Sequence, residues 1–153
     1  MSDRDFAPHL TVAAVVERDG RFLVVREYVD DKERINNPAG HIESGESPVE
    51  ATVREVREET GYDFAAEALG GVYLWRRPDN GETFLRINII GHCPDHDPEA
   101  PLDDGIIGPE WLALEELRHR SDTLRSPLVL RSFDEYRAGI RYPLDVISTL
   151  IDL

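Results

Sequence analysis

Residues 47–61, SPVEATVREVREETG, specify a helix together with both of its ends. Ser47 and Glu50 have the spacing of a capping box, Pro48 falls at the first helical position, and Gly61 sits where a left-handed C-cap belongs. The predicted helix spans 48–60. On a helical wheel Val49, Val53, Val56 and Thr60 form one stripe while Glu55, Glu58 and Glu59 spread over the opposite face. One face is expected to meet the core and the other to gather carboxylates. Like charges three and four positions apart repel by roughly 0.2–0.5 kcal/mol per pair, and a divalent cation reverses the sign. Oxygen-only ligands favour magnesium, calcium or manganese over zinc. The alternative is a solvated acidic helix in which Arg54 and Arg57 make local ion pairs.

The remaining chain alternates strand and helix signals. Residues 10–16 and 22–29 are apolar and β-branched and are joined through Asp19-Gly20, a hairpin pattern. A second pair, GVYLWRR and TFLRINIIGH, flanks the turn PDNGE in the same way. Residues 94–104 are rich in Pro and Asp and predict a surface loop. IIGPEWLAL reads as a last strand running into a short helix, LEELRHR; Ser126-Pro127 opens a further helix that Ala138-Gly139 closes. Strands interleaved with helices predict a mixed α/β fold, with helices packed over sheet, and 153 residues without repeats or linkers suit a single domain, 1–153.

A net charge of -14 argues against a nucleic-acid backbone or an anionic membrane as partner, since both select cationic surfaces. An anionic small substrate is compatible if divalent ions neutralise charge on both sides. No apolar run reaches the roughly 20 residues of a membrane span, and MSDRDFAPHL lacks the regions of a signal peptide. Cys93 is the only cysteine, which fits a reducing, cytoplasmic setting.

The order Gly40, Glu46, Arg54-Glu55-Val56, Glu58-Glu59, Gly61 resembles the Nudix box of the Nudix hydrolase family at every fixed charged and glycine position. Tyr62 departs from the aliphatic residue usual there, which touches local packing alone. The resemblance implies the Nudix fold, a mixed sheet between helices, and hydrolysis of a diphosphate linked to another group, with Mg2+ or Mn2+. It implies Glu55 and Glu59 as direct metal ligands and Glu58 as a further ligand or as a base acting through water. A backbone carbonyl of Ala39 or Gly40 is implied at the metal, with Glu46 and Arg54 bracing loop against helix. A further acidic ligand from a distant loop is left open among Asp103, Asp104 and Glu110. LRSPLV and GIRYPL lie outside the general family pattern and resemble a phosphatase subgroup. That subgroup acts on the thiamine precursor hydroxymethylpyrimidine pyrophosphate and on nucleoside di- and triphosphates. ADP-ribose, dinucleoside polyphosphates or oxidised nucleotides remain alternatives, as does a nucleotide-sensing domain without turnover.

Substrate selection has to come from outside the box. Arg86 and Arg125 suit phosphate oxygens, against the alternative of surface ion pairs. Trp75 suits a stacked ring or the core, and Trp111 the core. His41 either points into the site or is a solvated loop residue. His92, Cys93 and His96 cluster in sequence, but a fourth zinc ligand at suitable spacing is missing. Monomer and homodimer stay open.

Overall fold

A computed structural model describes residues 5–151. In chain order the strands are β1 (His9–Val15), β2 (Glu17–Arg18), β3 (Arg21–Val29), β4 (Lys32–Asn36) and β5 (Ala39–His41). Helix α1 (Pro48–Thr60) follows, then β6 (Ala65–Arg76), β7 (Thr83–His92), β8 (Ile106–Ala113), α2 (Leu114–His119) and α3 (Leu128–Arg137). One sheet has the order β5-β1-β7-β6, with β1 and β7 parallel and the other pairs antiparallel. In the other, β3 lies between β4 and β8 and begins against β2, all antiparallel. The expected α/β class stands, with the strands divided between two sheets.

Strand alternation explains the layering. Val15, Phe22, Val24 and Ile90 enter one core with Leu117 of α2 and Val129 and Phe133 of α3. Their chain neighbours Ala14, Val16, Leu23 and Ile89 enter a second core with Val56 of α1. The strands are thus buried on both faces between α1 on one side and α2 and α3 on the other, which is why they read as continuous apolar runs. Phe22 stacks on Phe133 with centroids 4.2 Å apart, and each such buried side chain contributes on the order of 1.5–3 kcal/mol.

Burial on both faces also corrects the first hairpin. Asp19 (φ 51°) and Gly20 (φ 78°) do turn the chain, but they close β2 onto β3. β1 leaves to pair with β5 and β7 in the other sheet. An apolar run marks an interior strand without naming its neighbours. The second predicted hairpin is present as β6 and β7. Residues 94–104 lie outside every strand and helix, and α3 begins one residue after Pro127, with the Leu128 N–H donating to Ser126 Oγ at 3.2 Å.

Helix α1 keeps its predicted bounds. Ser47 Oγ accepts from the Glu50 N–H at 3.1 Å, the Glu50 carboxylate accepts from the Ser47 N–H at 3.2 Å, and Gly61 closes the helix at φ 75°. Ser47→Ala should therefore lower stability by about 1 kcal/mol, read as a lower urea midpoint with an unchanged slope.

Candidate active site

The inward face of α1 differs from the wheel expectation. Its buried residues are Ala51, Thr52, Glu55, Val56, Glu59 and Thr60, while Val53 is 39% exposed. Glu55 and Glu59 are each 8% exposed, so two carboxylates face inward beside the core rather than opposite it. Val56 and Thr60 of the predicted stripe are buried, but the buried face is turned toward Glu55 and Glu59 because something other than apolar packing draws these glutamates in. That surface is β5: the Ala39 N–H donates to Glu59 Oε1 at 2.8 Å, and the Glu55 carboxyl lies against the Gly40 backbone. A Cβ built on Gly40 would stand 2.2 Å from the Glu55 carboxyl carbon. A side chain there would have to push the Glu55 carboxyl aside.

Arg54 ties the group together. Its Nε and Nη2 reach the two carboxylate oxygens of Glu46 at 2.7 and 2.9 Å, and Nη2 also donates to the His41 carbonyl at 2.9 Å. Nη1 donates to Glu55 at 2.9 Å and to Glu58 at 3.1 Å. Arg54 holds the Glu46 carboxyl below the usual carboxylate range through this hydrogen bond. Of the distant acids, Asp103 is the one that arrives: Glu55, Glu58 and Asp103 each offer an oxygen within 4.8 Å of the others, and the Asp103 N–H donates to the Glu58 carbonyl at 3.0 Å. Asp104 is exposed outside this group, and Glu110 stands on β8 near Arg26 (3.9 Å) and Arg120 (3.7 Å).

The site is rich in negative charge and poor in compensation. Burial raises the Glu55 pKa against the pull of Arg54, and burial pushes Glu59 up to about 9. Clustered carboxylate oxygens, a helix face drawn against a glycine backbone, and one shared arginine form a donor set that fits a hard divalent cation.

A cleft of about 240 Å³ begins at Ala39, Gly40 and His41 and includes Trp75, Arg86 and Arg125 in its walls. Arg86 is 6% exposed, not a surface residue, and among the described residues has no carboxylate within ion-pair distance; its Nη2 donates to Asn37 Oδ1 at 2.7 Å and its Nε to Asn88 Oδ1 at 3.2 Å. Burial brings its pKa down to about 10, so it stays charged at neutral pH. Arg125 makes the ion pair foreseen as the alternative, to Glu27 at 2.7 Å, at the cleft wall. Trp75 is half-buried beside Phe84, centroids 5.7 Å apart, and so belongs to the cleft rather than to either core. His41 is exposed at the mouth and hydrogen-bonds the His9 ring at 2.8 Å.

Trp111 is half-buried against the second core and donates to the Tyr62 hydroxyl at 3.0 Å, away from the cleft. His92, Cys93 and His96 do not converge. His92 meets Glu67 at 3.0 Å, Cys93 is buried, and His96 stacks on Tyr62 and meets the Thr60 carbonyl at 3.0 Å. Glu27, Asn36 and Phe84 in the cleft, and Asn37 and Asn88 behind it, were missed. The usable signal was polarity out of place: Glu27 interrupts an apolar strand, and Asn36-Asn37 stand directly before the Pro38-Ala39-Gly40 approach.

The NUDIX domain model matches residues 7–133. The chain belongs to the Nudix family. Across 143 residues it is 42% identical to phosphatase NudJ of Escherichia coli strain K12, covering 94% of this chain and 92% of that protein. A NUDIX hydrolase structure from Nitrosomonas europaea superposes with a TM-score of 0.94 at 41% identity, covering 96% of this chain and all of the other. An ADP-ribose pyrophosphatase from Streptococcus suis, 18% identical and covering 87% of this chain and 92% of its own, has a TM-score of 0.66 and shares the fold. The Nudix chain described here is a hydrolase of that family, and the cluster on α1 with its adjoining cleft is the candidate active site.

Burial of these Nudix carboxylates gives stability a pH dependence. Glu59 takes up its proton near 9 in the folded chain and near the ordinary value of 4.5 when unfolded. Between those values the folded state binds more protons, so stability falls as pH rises. In the presence of a chelator, the urea midpoint should be higher at pH 5.5 than at pH 8.5. Glu59→Gln should flatten that difference.

Proposed function

We propose that this chain is a magnesium- or manganese-dependent phosphohydrolase that cleaves a phosphoanhydride bond in small diphosphate compounds. Hydroxymethylpyrimidine pyrophosphate and nucleoside di- and triphosphates are the substrates we favour. The observation that carries this reading is the junction at Gly40, whose backbone lines the cleft and also touches the Glu55 carboxyl. A substrate in the cleft would thereby bring its phosphates beside the carboxylate group, with the uncompensated Arg86 in the same wall. The name phosphatase carried by the Escherichia coli relative supports removal of phosphate.

In this reading Glu55, Glu59 and Asp103 would hold the metal, with Glu58 as a further ligand or as the base, assisted by a backbone carbonyl of Ala39 or Gly40. When bound, a divalent ion withdraws charge from the diphosphate and lowers the pKa of the water that attacks it. Glu58 or a nearby carboxylate would take the proton of the attacking water during in-line attack on phosphorus. Arg54 and Glu46 fix the carboxylates, and Gly61 ends the helix that carries them. Arg86 and Arg125 bind phosphate oxygens, and Trp75 stacks on the ring, with His41 at the entrance.

We assign the chain to the cytoplasm as one domain, monomeric or homodimeric, with neither nucleic acid nor membrane as partner. The net charge of -14 speaks against a nucleic acid or an anionic membrane as partner, and among the described residues no helix is long and apolar enough to cross a membrane.

A substrate panel with separate detection of orthophosphate and pyrophosphate tests the proposal. Magnesium-dependent release from hydroxymethylpyrimidine pyrophosphate and nucleoside diphosphates is expected. Binding without release would turn the reading toward a nucleotide sensor, and preference for ADP-ribose, dinucleoside polyphosphates or oxidised nucleotides would change the substrate. Glu59→Gln should lower kcat/KM at least about 100-fold while the far-UV spectrum is retained. Arg125→Ala should raise KM about 10-fold, the loss of one charge-assisted hydrogen bond, with little change in urea midpoint. Collapse of stability instead would make Arg125 structural.

A further inference from the structure

Arg86 is a buried cation held by amides. Asn37 Oδ1 accepts from its Nη2 at 2.7 Å and Asn88 Oδ1 from its Nε at 3.2 Å, and both asparagines are themselves enclosed, at 0% and 1% exposure. The Asn37 carboxamide has its orientation fixed from two sides. One of its atoms lies 3.1 Å from the Ala14 carbonyl oxygen and 3.2 Å from Ser132 Oγ. A carbonyl only accepts, so that atom is Nδ2; a guanidinium only donates, so the atom it meets is Oδ1. Ser132 Oγ donates onward to the Val129 carbonyl at 2.7 Å, which ties the chain of bonds to α3. Asn88 stands two residues beyond Arg86 on β7, on the same face of the strand, and holds the Nε side.

Two things are left over by this arrangement. Among the described residues no acceptor meets Arg86 Nη1, and Arg86 lines the cleft. Its charge is also left without a counter-ion: the chain has 31 acidic residues, yet among the described residues none lies within ion-pair distance of this guanidinium. Folding alone favours the opposite choice, because buried charges are ordinarily paired with charges. Aspartate has nearly the shape of asparagine and would supply the pair. Arg125 in the same cleft shows the paired alternative, with Glu27 at 2.7 Å.

We infer that Asn37 and Asn88 are positioning residues for the reaction, a neutral clamp that aims Arg86 while leaving its charge and Nη1 to a phosphate oxygen of the substrate; this rests on the proposed binding of phosphate by Arg86. A carboxylate at either position would orient the guanidinium equally well, but phosphate would then meet a cation already neutralised.

The test measures kcat, KM and the urea midpoint for cytidine diphosphate in the magnesium-loaded protein. Asn88→Asp should raise KM at least about 10-fold, with a smaller change in kcat and the urea midpoint held. Asn37→Asp should raise KM in the same way, with a lower midpoint because the bonds to Ala14 and Ser132 are lost as well. In an Arg86→Met background, which raises KM by itself, neither aspartate should raise it further, as required of residues that act through the arginine. If Asn37→Asp fails to fold, Asn88→Asp decides, since it leaves the bonds to Ala14 and Ser132 in place. An unmoved KM in Asn88→Asp, beside a raised KM in Arg86→Met, would overturn the inference and make the asparagines structural. A rise that persists in full without the arginine would overturn it too. An unmoved KM in Arg86→Met would instead remove Arg86 from phosphate binding, and wild type inactive on cytidine diphosphate would sink the proposed function, both results distinct from failure of the clamp alone.

Discussion

The arrangement depends on bringing two glutamates of α1 against the backbone of β5. Burying carboxylates opposes folding unless they find partners, and here the partners are few: one backbone N–H for Glu59 and a share of Arg54 for Glu55. The supporting structure can be traced back to that demand. Gly40 leaves open the space that the Glu55 carboxyl occupies. Arg54 needs Glu46 on two of its nitrogens to hold a third toward Glu55 and Glu58. The capping box and Gly61 end the helix so that the three glutamates face this corner. Val56 anchors it to the core.

Features set by neighbouring residues were legible in the sequence. The bounds of α1 follow from Ser47, Pro48, Glu50 and Gly61, all within one turn of the ends they define, and the β6–β7 hairpin follows from the turn between its strands. Features set by distant contacts were not. β1 and β3 looked like hairpin partners because burial on both faces makes their sequences alike, yet each is claimed by strands far along the chain. β4 was missed because an edge strand with Ile35 as its one buried residue carries little apolar signal. The spacing of the acidic motif marked the candidate site, and Val56 and Thr60 are buried as the wheel placed them, but it set Glu55 and Glu59 on the wrong side. A periodicity argument scores glutamate as outward and has no way to register a backbone that receives it.

The choice among Asp103, Asp104 and Glu110 shows the same limit. The three are chemically near-equivalent in sequence. What separates them is a backbone hydrogen bond from Asp103 to the end of α1, against ion pairs that hold Glu110 on the second sheet. Loop composition predicted a loop and could not rank its acids.

The two cleft arginines answer differently to an anion, and the difference matters in a chain of net charge -14. Arg125 is paired with Glu27 at 2.7 Å, so a phosphate must compete with a carboxylate already in place. Arg86 is held by the oxygens of Asn37 and Asn88, neutral groups that fix the guanidinium without cancelling its charge. Burial weakens its hold on the proton, and Glu59 and Glu27 nearby pull the other way. Neutral support is the one way to keep a buried cation both oriented and unspent. Arg125, at the more exposed wall, would have to give up Glu27 to meet an anion, while Arg86 sets a fixed point of positive potential in the cleft.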